Sequence, residues 1–298
     1  MGAITHETSH WGTPEQEALF RAEFAAGSCV PRLHGTSIKT FRYDTGRYPL
    51  AELLVDDLVQ KGFLKPADRA RFGGLTQLHR FLPDHLMALD HSELNEVSRA
   101  FYETSPAFVD AYRRLIREVI TCDVVQMDCV FQRTPTIRFH FPQQEGFLWK
   151  PRFHTDVMLG HPPQEINIWL PLCQTRGTSS MRMAPLEPSL ELLGRVGLDF
   201  EKFAQAVQVE DELQRACHAV SAPVELSYGE FIAFDPRCLH ATQNNDTDQT
   251  RVSLDFRVMP VSDYAAMRLP YRGTGRLKKS FTRGAYYDED TALGSGGE

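Results

Sequence analysis

At 298 residues, with 42% hydrophobic and 24% charged residues, the chain can bury a sizeable core without a disulfide or metal staple. Its net charge of −7 excludes a general nucleic-acid binder, which needs a basic surface, and favours a cationic small substrate by attraction. No run of about 18 apolar residues occurs, so no membrane-spanning helix is expected.

The N-terminal residues 1–12 lack the basic and apolar regions of a secretory signal. Six cysteines (Cys29, Cys122, Cys129, Cys173, Cys217, Cys238) form no CxxC pair and no regular spacing. Zinc-finger and disulfide-framework readings are therefore poor, and a reducing, cytoplasmic setting is expected.

The first 120 residues read as mostly helical. Thr13, Pro14 and Gln16 form a helix start, with proline at the first helical position. Residues 50–59 are an apolar-rich helix that Gly62 stops. After Ser105-Pro106, Phe108, Val109, Tyr112, Leu115, Ile116, Val119 and Ile120 repeat at helical spacing. From residue 124 the period changes. Short β-branched or aromatic runs at 124–131, 137–141, 165–172, 224–226, 231–234 and 252–258 are separated by Pro, Gly, Asn and Asp, which predicts strands. Many short strands without regular helices between them imply a mainly β core with flanking helices, as a sandwich or barrel. Residues 187–219 read as a helical insertion, and the Gly- and Ser-rich tail 293–298 as disordered.

His154-Thr155-Asp156, with His240 far downstream and Arg251 eleven positions later, is the pattern that carries chemistry. Two imidazoles and a carboxylate on one face of a ferrous ion leave three positions open for a co-substrate and O₂. On an extended strand, His154 and Asp156 would share one face. Arg251 and Ser253, also two apart, would grip a carboxylate together. A lone HxD arises by chance in many proteins, so it is the order, spacing and strand context of the whole set that point to a metal site. His161 reads as a loop residue, since Gly160 and Pro162-Pro163 flank it. Arg138, mid-strand among apolar residues, must pair either with a co-substrate or substrate carboxylate or with a structural partner. Asn167 and Trp169 share a strand face opposite Ile166, Ile168 and Leu170. That face either lines a cavity, with Asn167 a cofactor-binding candidate, or packs, the favoured expectation for Trp169 being a place under the helices. Lys150 and Arg152 either meet substrate or are solvated; the basic stretch 276–283 is expected to be solvated, and Cys238 to be packing.

Phe153-His154-Thr155-Asp156, the 165–172 strand, Tyr228-Gly229-Glu230-Phe231-Ile232-Ala233-Phe234, Leu239-His240-Ala241-Thr242-Gln243-Asn244 and Arg251-Val252-Ser253 resemble the Fe(II)/2-oxoglutarate dioxygenases of the phytanoyl-CoA dioxygenase-like family. The resemblance covers residues 124–260 and implies a double-stranded β-helix (jelly roll, cupin-like) core. It makes His154, Asp156 and His240 the iron ligands and Arg251 the anchor of the distal carboxylate of 2-oxoglutarate. The segment 178–189 keeps a proline but lacks the Gly-Ser-His of many relatives. Relatives that halogenate replace the carboxylate with a small residue; Asp156 is present here, which favours hydroxylation, desaturation or oxidative ring formation. The 160–167 variant resembles oxygenases of sugar-derived and aminoglycoside natural-product pathways.

The expected organisation is one domain of 1–298: a mostly helical N-terminal layer at 1–123, the jelly-roll core at 124–260 interrupted near 187–219, and a C-terminal extension at 261–298. The expected function is a cytoplasmic oxygenase using Fe(II), 2-oxoglutarate and O₂ on a small polar metabolite, with no nucleic-acid or membrane partner. Two alternatives stay open: a non-enzymatic cupin-type binding protein, and a cupin metalloenzyme independent of 2-oxoglutarate.

Overall fold

The computed structural model describes residues 13–27, 29–90, 94–142, 150–273 and 280–292. The N-terminal segment 1–12, the tail 293–298 and Arg276, Lys278 and Lys279 of the basic stretch lie outside the described residues. Thr13 caps the helix Pro14–Ala26 by accepting from the Gln16 amide at 3.2 Å. The helix Leu50–Gln60 buries Leu50, Leu54 and Leu58 and ends just before Gly62, whose φ of +79° suits only glycine well.

Ser105 caps the helix Pro106–Leu115, which runs on into a π-helix, Ile116–Val125. This corrects the strand expected from residue 124. Val119, Ile120, Val124 and Val125 are all buried, so the apolar stripe of the helix continues through the β-branched pair. Gln126, left-handed at φ +60°, ends it, and only Cys129–Phe131 is strand. β-branching had suggested strand; burial on one helical face decided otherwise.

Among the described residues, nine strands run in chain order: β1 Ile38–Arg42, β2 Cys129–Phe131, β3 Thr136–His140, β4 Ile166–Pro171, β5 Met181–Met183, β6 Ala222–Pro223, β7 Glu230–Phe234, β8 His240–Thr242 and β9 Arg251–Pro260. The larger sheet runs β1-β7-β4-β9-β2, with β3 also on β9; the smaller runs β6-β5-β8. Every pairing among these nine strands is antiparallel. A bridge from His154 to His240 adds one more rung beside β8. This is a jelly roll, two antiparallel sheets with a site between them. Helices hold more of the chain than strands do, and they cover the outer face of the larger sheet.

The alternation along β4 and β9 sets the layers. Ile166, Ile168 and Leu170, with Val252, Leu254, Phe256 and Val258, face the helices and pack with Leu54, Leu58, Phe108, Tyr112 and Leu115. Each such fully buried side chain contributes roughly 1.5–3 kcal/mol. The opposite faces look toward the smaller sheet.

β1 was not expected within the helical N-terminal stretch, nor was the short β5. The run 224–226 is not a strand; the pairing residues are Ala222–Pro223, and Leu226 makes only a bridge to Thr175. The 187–219 insertion forms three helices, Leu186–Gly194, Phe200–Val209 and Asp211–Val220. Both flanks of the chain reach the core, since β1 pairs with β7 while Phe281, Tyr286 and Tyr287 pack beside Phe153 and Met158. No helix among the described residues is long and apolar enough to cross a membrane.

Candidate metal centre

His154, Asp156 and His240 converge, their ligand atoms lying within 4.8 Å of one another; among the described residues no other group of three or more such side chains does so. His154 and His240 exchange both backbone hydrogen bonds, at 3.0 and 2.9 Å. Their rings lie 4.5 Å apart, centroid to centroid. The strand expected to carry both His154 and Asp156 shrinks to that one bridge. Thr155 is extended but caps a short 3₁₀ turn, Asp156–Leu159, so Asp156 opens a turn. The Asp156 amide donates to the Pro236 carbonyl at 3.0 Å, which ties the two histidine segments together. Arg237 holds that loop through Asp235 and the Phe24 carbonyl. At Gly160, φ +90°, a Cβ would collide with the Arg272 carbonyl, so glycine is required to close the turn.

The donor set fits a divalent transition metal. Nδ1 of His154 lies 2.8 Å from the Arg152 carbonyl, and Nδ1 of His240 lies 3.0 Å from the Cys238 carbonyl. A carbonyl only accepts, so each Nδ1 carries the proton and each ring offers Nε2 as the ligand. Oδ1 of Asp156 sits 3.6 Å from Nε2 of His240. Oδ2 accepts from Asn167 at 2.7 Å and from Arg257 Nε at 2.9 Å, and from Arg257 Nη2. Burial alone would raise the Asp156 carboxyl. The Arg257 guanidinium overrides it, helped by His161, His240 and His154, and holds it well below the usual carboxylate range. The acid is a carboxylate, as a metal ligand must be.

The triad opens on a cavity of about 650 Å³ between the sheets. Arg251, Ser253, Asp255 and Arg257 line one face of β9, and Arg251, Asp255 and Arg257 border the cavity itself. Arg251 is 2% exposed, donates to Ser253 Oγ at 2.6 Å and to the Ser179 carbonyl at 3.2 Å, and makes no salt bridge among the described residues. Its guanidinium lies 5.8 Å from the Trp169 ring. Burial, with Arg138 nearby, pushes the Arg251 pKa down to about 10. The 178–189 segment, which departs from relatives, therefore supplies a carbonyl that orients Arg251.

Arg138, opposite Ser253 in the β3–β9 register, is half-buried, borders the cavity and has no ion pair among the described residues. Asn167 does not border the cavity; it holds Asp156. Trp169 faces the cavity and packs with Met181, Met183 and Phe234, not under the helices as favoured from sequence. Strand alternation, which sends its neighbours Ile168 and Leu170 to the helices, leaves it no other side. Lys150 pairs with Asp211 at 2.7 Å and Arg152 borders the cavity. His161 is buried, its Nδ1 2.7 Å from Glu165, which also accepts from Tyr287 at 2.5 Å. Cys238 is buried against Trp169 and Phe234.

Arg257, Asp255 and the Glu165–Tyr287 pair were missed from sequence, although polar residues at 251, 253, 255 and 257 did signal a polar strand face. Cavity arginines (138, 152, 251 and 257) outnumber its acids (Asp156, Asp255 and Glu201), so the acidic balance of the whole chain does not extend into the site.

Two histidines and one aspartate converging beside a cavity match the 2-His-1-carboxylate donor set that non-haem iron oxygenases use. No family model matches the chain. A curated relative, the streptomycin biosynthesis protein StrG of Streptomyces griseus, is 26% identical over 227 residues, spanning 75% of this chain and 85% of that protein. Among solved structures, EctD from S. alaskensis aligns with a TM-score of 0.46 at 12% identity, over 78% of this chain and 75% of its own. AviO1 from Streptomyces viridochromogenes Tue57 aligns with a TM-score of 0.46 at 13% identity, over 80% and 95%. SnoN, a non-heme alpha ketoglutarate dependent epimerase from nogalamycin biosynthesis, aligns with a TM-score of 0.43 at 12% identity, over 82% and 81%.

Proposed function

We propose that this chain is an Fe(II)- and 2-oxoglutarate-dependent oxygenase that hydroxylates, desaturates or oxidatively cyclises a small polar metabolite of an antibiotic-type pathway. One observation carries the reading: the His-Asp-His triad and a buried arginine without a carboxylate partner among the described residues share one cavity. A buried guanidinium without a counter-charge is costly, and a dicarboxylate co-substrate supplies the missing charge. Iron held by the triad supplies a Lewis-acid and redox centre with open positions for a co-substrate and O₂.

The protein's own part is to bind, orient and exclude water. Arg251 and Ser253 seat the far carboxylate, Trp169 flanks it, and Arg138 stands across the same end. Near Arg257 the wall is polar, with Gln132, Thr136, Asp255 and Tyr286. Phe200, Ala204 and Val207 from the insertion supply an apolar wall. The polar wall suits the hydroxyls of a polyhydroxylated ring and the apolar wall its carbon face, and the similarity to a streptomycin biosynthesis protein supports a sugar-derived substrate. A cytoplasmic setting fits six free cysteines.

Anaerobic titration with Fe(II) and then 2-oxoglutarate tests the reading, with succinate formation in air as the second readout. A visible charge-transfer band and succinate release are expected, and Asp156→Ala should abolish both. A bound metal with turnover that ignores 2-oxoglutarate would favour the other metalloenzyme class. Neither band nor succinate, with a small molecule still bound, would favour a pure binding protein.

A further inference from the structure

Arg257 borders the cavity but directs its Nε and Nη2 to Asp156, buried beside the candidate metal ligands. A carboxylate oxygen has two in-plane lone pairs. Oδ2 of Asp156 receives one N–H from Asn167 and two from Arg257, which saturates it. Oδ1 alone is left toward His240. Arg257 is itself fixed, since Nη1 lies 3.1 Å from Asp255 Oδ1 and Nη2 donates to Asp255 Oδ2 at 3.2 Å.

We propose that Arg257, with Asn167, is a positioning residue for the metal centre: it occupies Oδ2 so that Asp156 coordinates through Oδ1 alone, and it forms an anion-accepting hole when the Asp156 carboxylate is removed. This rests on the metal-centre reading above. A carboxylate bound through both oxygens would use one of the positions facing the cavity; the Arg257 fork prevents that rotation. With Asp156 gone, Arg257 and Asn167 retain N–H groups aimed at a buried void the size of a carboxylate. A buried guanidinium that has lost one of its two counter-charges binds a small anion there.

The test uses the metal-free full chain and Co(II), followed anaerobically by visible absorption. The wild type binds one Co(II). Arg257→Met weakens that binding roughly 10–100-fold, the range for loss of a group that orients a metal ligand. Arg257→Lys keeps the charge without the fork and recovers only part. Asp156→Ala loses tight binding and regains it with added formate, and Arg257→Met in that background removes the rescue. Equal Co(II) affinity in wild type and a folded Arg257→Met, or formate rescue without Arg257, overturns the proposal. Should Arg257→Met fail to fold, Asn167→Ala decides, since it takes one neutral donor from the same oxygen: about tenfold weaker binding is expected, and unchanged binding overturns. A wild type that takes up no Co(II) overturns the metal-centre reading itself.

Discussion

Arg251→Met separates what Arg251 does for the site from what it does for the fold. The guanidinium is 2% exposed and rests on two neutral acceptors, Ser253 Oγ and the Ser179 carbonyl. In the free protein it is a buried charge with little compensation, so an unbranched apolar replacement should leave the melting temperature unchanged or raise it. For 2-oxoglutarate the change removes two charge-assisted hydrogen bonds of about 1.5–3 kcal/mol each. At about 1.4 kcal/mol per decade, affinity falls on the order of 10²–10⁴-fold. The assay is anaerobic thermal melting with and without 2-oxoglutarate at about 100 times the wild-type Kd, where binding stabilises by about 2.7 kcal/mol. At about 2.1 cal/mol/K of unfolding entropy per residue, 298 residues make that a rise of roughly 4 °C in wild type, and almost none in the variant. A variant that melts well below wild type without ligand, yet keeps the full shift with 2-oxoglutarate, would refute the reasoning.

Two further outcomes are expected. Burial first, and Arg251 second, hold the His140 imidazole well below its ordinary 6.5, so the native state excludes a proton that the unfolded chain accepts. Stability therefore falls as pH drops below 6.5, by up to about 1.4 kcal/mol per unit; urea unfolding of His140→Gln at about pH 7.5 and 5.5 should show a smaller loss than wild type. Tyr287→Phe takes a hydrogen-bond donor from the fully buried Glu165 and should cost about 1–3 kcal/mol in urea while Co(II) binding is kept. An unchanged urea midpoint would mean that Glu165 needs no proton from that hydroxyl.

Much of the site was legible because its chemistry is carried by residue types at short spacings. His154 and Asp156 two apart, and Arg251 and Ser253 two apart, are local facts that survive whatever the rest of the chain does. The same alternation put Ile166, Ile168 and Leu170 on a core face before any packing was known. Helix starts at Thr13 and Ser105 were readable because a cap needs only three neighbouring residues.

What the tertiary structure alone decided has a common cause: it depends on partners far away in the chain. Val124 and Val125 are helical because they complete a buried stripe, against their β-branching. β1 is a strand because β7 offers an edge about 190 positions later, a pairing that no window over residues 38–42 contains. In sequence the polar face of β9 shows Arg251 and Ser253 as carboxylate-binding candidates but no partner for Arg257. Folding turns it inward, where Arg257 meets an aspartate 101 residues before it and Arg251 meets the Ser179 carbonyl 72 before it. Sequence therefore determined which donors this protein owns and which of them share a strand face. Only the closure of two sheets around a cavity determined which charges are paired and which rest on neutral acceptors alone, because burial and distance set those energies and neither is a local property.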